Sequence, residues 1–133
     1  MEVRSEKLVY TSIRALAPAE VDEIVSRGNR DELRYVAISV SMLSDDFDLG
    51  QSICLLLARH PDSTVRGNAV QSFGHLARRF RRLDLEVVEP IYRSALHDSD
   101  QYVREEADGM LGEIRHYLAL LPNWPEEEEG GDK

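Results

Sequence analysis

Residues 65–76 read Val65-Arg66-Gly67-Asn68-Ala69-Val70-Gln71-Ser72-Phe73-Gly74-His75-Leu76, and residues 103–114 read Val103-Arg104-Glu105-Glu106-Ala107-Asp108-Gly109-Met110-Leu111-Gly112-Glu113-Ile114. Val-Arg, two residues, Ala, three residues, an apolar residue, Gly, one residue and then an aliphatic one recur at a displacement of 38 residues. A repeat at this period is the signature of stacked helical units. Val65, Ala69, Phe73, Leu76 and Ala77 are spaced by four, four, three and one, which makes one stripe along a helix. The alanine in mid-stripe lets a neighbouring helix come close. The glycine that follows costs about 1 kcal/mol of helix propensity relative to Ala, so its presence twice at one register points to tight packing.

Working outward, Asp62 and Asp100 stand just ahead of the two blocks as helix N-caps, whose short side chains accept from orphan amides. A worn copy, Leu33-Arg34-x-x-Ala37, lies 32 residues before the Val65 block, with Ser41 and Met42 in place of the apolar-Gly pair. Each block follows another amphipathic segment. Pro18–Arg27 carries Val21, Ile24 and Val25, with proline at a favourable first-turn position and a stop at Gly28-Asn29. Asp48–Arg59 and Asp84–His97 are the other two, with Pro90 a possible kink in the latter. A helix near Ser5–Leu16 is expected to cap the stack. The last helix is expected to run from about Asp100 to Leu120, before Pro122. Strand signals are missing. The reading is all-α: an α-α superhelix of about three helical hairpins with a capping N-terminal helix. Residues 1–121 form one domain, and residues 122–133 a Pro/Trp turn with an acidic, disordered tail. Trp124 is expected to fold back on the last helix as a plug.

These blocks resemble HEAT repeats, including the short variety named after phycobilisome lyases. The resemblance covers roughly residues 17–118. It implies a right-handed superhelix of antiparallel pairs, first helices on the convex side and second helices on the concave, ligand-facing side. It also implies that Asp and Arg form a ladder between units, which gives Arg34, Arg66 and Arg104 a structural role. It leaves function open, because repeat folds host many activities.

Composition narrows the function. The chain has 133 residues, enough for one core, and a formal net charge of −9. Glu126–Glu129 and Asp132 against Lys133 account for −4 of that, leaving −5 for the body. A body without a basic excess argues against nucleic-acid binding, which needs cations to displace phosphate counterions, and favours basic partners. Cys54 sits in the apolar run Ser52–Ala58 and reads as a small buried hydrophobe. No apolar run reaches the roughly 20 residues that span a bilayer, and no amino-terminal signal is present. Cytoplasmic location is the expectation.

The chemistry of catalytic HEAT-like proteins is also testable in the sequence. Iron-binding hydroxylases of that type use His-Glu dipeptides, whereas the histidines here read His60-Pro61, His75-Leu76, His97-Asp98 and His116-Tyr117. One cysteine cannot build a zinc cluster, and no phosphate loop or nucleophile elbow occurs. No catalytic residue, metal, cofactor or small-molecule substrate is therefore expected.

The expected working face is the second-helix surface. Its stripes are Val36, Ser39 and Leu43 in the first unit, Asn68, Gln71 and His75 in the second, and Glu106, Gly109 and Glu113 in the third. They grade from apolar through polar to acidic. The candidate partner-binding residues are Tyr35, Ser39, Asn68, Gln71, His75, Glu105, Glu106 and Glu113. The cluster Arg78-Arg79-Phe80-Arg81-Arg82, with Arg59 nearby, reads as cations at a helix C-terminus paired to Asp84 and Glu86. The functional reading is a non-catalytic module that captures a protein partner. Small acidic proteins of this kind look like bacterial immunity proteins, which neutralise basic nuclease toxins by covering the active cleft. The alternative is an enzyme-associated HEAT-like factor, lyase-like or an adaptor subunit, with nucleic-acid binding through the arginine cluster a lesser third reading.

Overall fold

Pro18 sets where regular structure begins. The residue before a proline is pushed out of the helical region, and Ala17 is extended at φ −71° and ψ 152°. The Ala17 amide donates to Glu20 Oε1 at 3.1 Å and closes the first turn. The computed structural model describes residues 13–118 and 124–125. Six helices and no strand occur among them: α1 Pro18–Arg27, α2 Arg30–Leu43, α3 Phe47–Leu57, α4 Ser63–Phe80, α5 Leu85–Leu96 and α6 Gln101–Leu118.

Residues 13–17 are not helical, so the expected capping helix does not reach Leu16. They run alongside α2 instead, with the Arg14 amide donating to Ser39 Oγ at 3.3 Å. The rest of that expected helix, the end of the last helix beyond Leu118 and the tail from Glu126 lie outside the described residues.

The helix starts follow the sequence. Asn29 caps α2 through the Glu32 amide, Asp46 caps α3 through Leu49, and Asp62 caps α4 through Thr64 and Val65. Asp100 Oδ1 accepts the Tyr102 amide at 2.8 Å at the start of α6. Gly28 ends α1 at φ +69°, a left-handed conformation that glycine adopts without Cβ strain.

Packing builds two layers from this chain of helices. α2, α4 and α6 lie side by side in chain order, with α4 in the middle, while α1, α3 and α5 pair with the following members of that row. The core runs through the row: Val36, Val40, Val65, Ala69, Phe73, Leu76, Val103, Met110 and Ile114 are all buried. The predicted stripe from Val65 to Ala77 is buried along its whole length. Cys54 is buried among these side chains, and burial pushes its thiol pKa up, as fits a packed apolar group.

Among the described residues the motif arginines make one Arg–Asp rung between units, and Arg30 Nε adds a looser contact to Asp62 Oδ2 at 3.4 Å. Arg66 donates from Nε and Nη2 to the two carboxylate oxygens of Asp98 at 2.8 and 2.7 Å. Its Nη1 also donates to the carbonyls of His60 and Pro61. Arg104 repeats the second contact 38 residues on, donating to the Asp98 carbonyl at 2.6 Å. Arg34 makes no such rung. It lies 3.6 Å from Asp31 on its own helix, and its buried Nε has no hydrogen-bond partner among the described residues. The reason lies in the loops. Asp98 and His60 occupy the same register position, each accepting the amide two residues on, but only Asp98 brings a carboxylate. The ladder expected of Arg34, Arg66 and Arg104 is thus reduced to the Arg66–Asp98 rung.

The glycine expectation is corrected as well. A Cβ at Gly74 would lie 3.0 Å from Glu113 Cγ, so that glycine does mark close approach. Gly112, its register mate, has open space where a Cβ would go. α6 ends the stack, and among the described residues no further helix covers that side.

Candidate partner-binding surface

α4 and α6 cross closely enough at Gly74 to bring four of the candidate residues together. Gln71, His75, Glu106 and Glu113 line one groove of about 240 Å³, with Gly74, Arg78, Gly109 and Met110 completing its walls. Gly109 contributes no side chain and leaves open space above its Cα. Arg78 and Met110 were not in the sequence-derived set. The signal for Arg78 was its spacing, three residues beyond His75 on the same helix face.

The other candidates fall elsewhere. Ser39 is fully buried and receives the Arg14 amide. Asn68 is 7% exposed and works as an internal strut. Its Nδ2 donates to the Arg34 carbonyl on α2 at 2.7 Å, and its Oδ1 accepts from the Tyr102 hydroxyl on α6. Ser39 and Asn68 therefore offer no surface to a partner, and with Val36 also buried the expected gradient begins at Gln71. The physical cause is that α4 has neighbours on both sides, so its buried arc is wider than a single stripe. Tyr35 is half-buried on α2, apart from the groove lining. Glu105 is exposed at the rim and accepts from Gln101 Nε2 at 2.8 Å.

The groove has a definite charge state. Burial, helped by the nearby Arg78 cation, pulls the His75 pKa down to about 4, so the imidazole is neutral at physiological pH. Burial and then the neighbouring Glu105 charge raise the Glu106 pKa. Arg78 Nη1 sits 3.8 Å from Glu113 Oε1, an ion-pair distance too long for a hydrogen bond. That Oε1 is buried and has no hydrogen-bond partner among the described residues.

The remaining arginines of the cluster are used inside the fold. Arg79 donates to the carbonyls of Ser41 and Ser44 at 2.8 and 2.7 Å and to Asp45 at 3.2 Å, tying down the end of α2. Arg82 stacks 4.0 Å over Phe47, and Arg81 lies 4.9 Å over Tyr117, both cation–π contacts. These partners replace the expected Asp84 and Glu86. Trp124 packs 6.1 Å from Tyr92, and its carbonyl accepts from Arg115 Nε at 2.8 Å, which fits the expected plug.

Among the described residues no helix is long and apolar enough to cross a membrane. No protein-family model matches the chain, nor does any curated protein. Among solved structures, a chain from the "Crystal structure of CDI complex from Cupriavidus taiwanensis LMG 19424" is similar. The match has a TM-score of 0.67 and 27% sequence identity, and covers 77% of this chain and 91% of that chain.

Proposed function

We propose that this protein is a non-catalytic, HEAT-like capture module of the immunity type, which binds and neutralises a toxic protein partner in the cytoplasm. The observation that carries the reading is the likeness to a chain of a CDI (contact-dependent growth inhibition) complex, which extends over 91% of that chain. The HEAT-like assignment is supported by caps and backbone contacts that recur at the 38-residue register, such as Arg66 to the His60 carbonyl and Arg104 to the Asp98 carbonyl.

The capturing surface is the α4/α6 groove with its acidic rim, Gln71, His75, Glu105, Glu106 and Glu113. Its negative balance suits a basic partner, for which electrostatic complementarity raises the association rate. The test is co-expression with the product of the adjacent gene in a growth assay, together with copurification of the two proteins. Wild type should rescue growth and elute as a stoichiometric complex. Charge reversal at Glu105, Glu106 and Glu113 should abolish both. Rescue and complex formation indifferent to that reversal would sink the assigned surface, and no complex with any adjacent product would sink the immunity reading.

A further inference from the structure

The α4/α6 groove has a shape and a polar deficit that together specify one kind of guest. At about 240 Å³ it falls below the roughly 300–1,000 Å³ of ordinary small-molecule sites. It has room for one long side chain entering from outside. Its entrance is open at Gly109, where no Cβ stands.

The deficit is a missing hydrogen-bond donor. Gly74 lets α6 approach until Glu113 Cγ lies 3.0 Å from where a Cβ would be, and this seats the Glu113 carboxylate in the groove. Its Oε1 is buried and accepts no hydrogen bond among the described residues, while the side chain as a whole is 44% exposed. The cation beside it among the described residues, Arg78 Nη1, stands off at 3.8 Å. A buried acceptor left unsatisfied is destabilising, and the great majority of such atoms find a partner. Glu106 lines the same groove, where burial and then the Glu105 charge raise its pKa. With His75 neutral, two carboxylates face one guanidinium. One further positive charge would balance the groove.

We infer that the groove is a receptor for a single arginine side chain of the captured protein, its guanidinium donating to Glu113 Oε1 and to Glu106. Arginine fits better than lysine because its planar fork can donate to two carboxylates at once, whereas an ammonium acts as a point charge. Arg78 is then a competitor that partly screens Glu113 until the guest arrives. This inference rests on the capture reading for the identity of the protein that supplies the arginine, but its chemistry is testable without that protein.

The probe is N-acetyl-L-arginine methylamide, titrated into the isotope-labelled full chain and followed by amide chemical shifts. Saturable shifts are expected at Gly74, Glu106, Gly109 and Glu113. The neutral isostere N-acetyl-L-citrulline methylamide should give none, and the corresponding lysine amide should bind several-fold more weakly. Glu113→Gln, which keeps the shape of the side chain, should weaken the arginine probe at least 10-fold, and Glu106→Gln should weaken it less. Arg78→Ala should strengthen it a few-fold, the opposite sign from that of a residue that merely supports the fold. Absence of saturable shifts, equal response to citrulline, or an unchanged response in Glu113→Gln would overturn the inference even if the wild type captures a toxin. Arginine binding as described, with no protein partner captured, would instead overturn the immunity reading and leave the groove chemistry standing.

Discussion

α4 and α6 are two 18-residue helices built on the same motif, yet α4 buries ten of its residues and α6 only four. The difference lies in their neighbours. α4 is flanked by α2 and α6 in its own layer and touches α3 and α5, whereas α6 has a helix of that row on one side only. Positions that are equivalent in sequence therefore do different work. Gly67 accommodates the ring of Tyr102 from the next helix, and its register mate Glu105 is exposed. Phe73 is fully buried, and its mate Leu111 is only half-buried. A motif of this kind fixes the inward stripe of a helix; its place in the row decides what the other faces do.

The largest test of that contrast is in the core. Phe73→Ala should cost about 3–5 kcal/mol, the usual range for an aromatic deleted from a packed interior. Leu111→Ala should cost less than half as much, because the side chain is already partly in water. Urea unfolding of both variants measures the pair. Equal losses would mean that the outer side of α6 is covered by something, and the asymmetry between the two helices would fall.

The glycines sharpen it by changing sign. A Cβ at Gly67 would overlap the Tyr102 ring and push its hydroxyl off Asn68, so Gly67→Ala should destabilise by about 1–3 kcal/mol. Gly112→Ala meets open space and should stabilise by up to about 1 kcal/mol through helix propensity. Thermal unfolding reads both, and destabilisation by Gly112→Ala would place a hidden neighbour beside it.

These pairs also show what the sequence could and could not disclose. The stripe from Val65 to Ala77, the caps at Asp62 and Asp100 and the stop at Gly28 depend on residues within one turn of each other, and all were legible. Pro18 reads as a helix start, but its restriction falls on Ala17 alone, so no local signal marks residues 13–16 as non-helical. Asn68 lay on the predicted outer stripe of α4 and is buried because α2 and α6 close over it from both sides. Helix phase alone carries no information about the width of a buried arc. The groove survived as Gln71, His75, Glu106 and Glu113 because its two walls are register mates, His75 of one unit facing Glu113 of the next. The arginine cluster was visible as charge, but its partners Ser41, Ser44, Asp45 and Phe47 come from more than 30 residues away. Nothing local points to them.

The two loops ahead of α4 and α6 give a smaller contrast. Asp98→Asn keeps a cap for the Asp100 amide but removes the charge that Arg66 grips. It should cost about 1 kcal/mol, between an exposed pair and a buried one. His60→Asp places a carboxylate at the matching position, near Arg34, whose charge already helps to hold the Asp62 pKa down. It should recover about 0.5 kcal/mol, the scale of a partly exposed pair. A double variant with Arg34→Gln that keeps the whole gain would show that no second rung had formed.

The smallest expected effect is in the pH dependence of the groove. His75 has a pKa of about 4 in the fold against an ordinary 6.5, burial being the larger cause and Arg78 the smaller. Between those values the unfolded chain binds the proton and the folded one does not, so stability falls as pH drops from about 6.5 towards 4. Glu106, raised by burial and Glu105, acts in the opposite sense. It takes up its proton first in the folded state and offsets part of the loss. Arg78 and Glu113 are further charged groups in the groove lining beside the ring. Thermal unfolding at pH 7, 6 and 5 should show a shallower decline for His75→Gln than for wild type. At the equivalent position on α6 the residue is Glu113, and Glu113→Gln should leave the His75 share of the slope in place. Identical slopes for wild type and His75→Gln would mean that water reaches the imidazole freely. α6 would then fail to cover α4 at the groove.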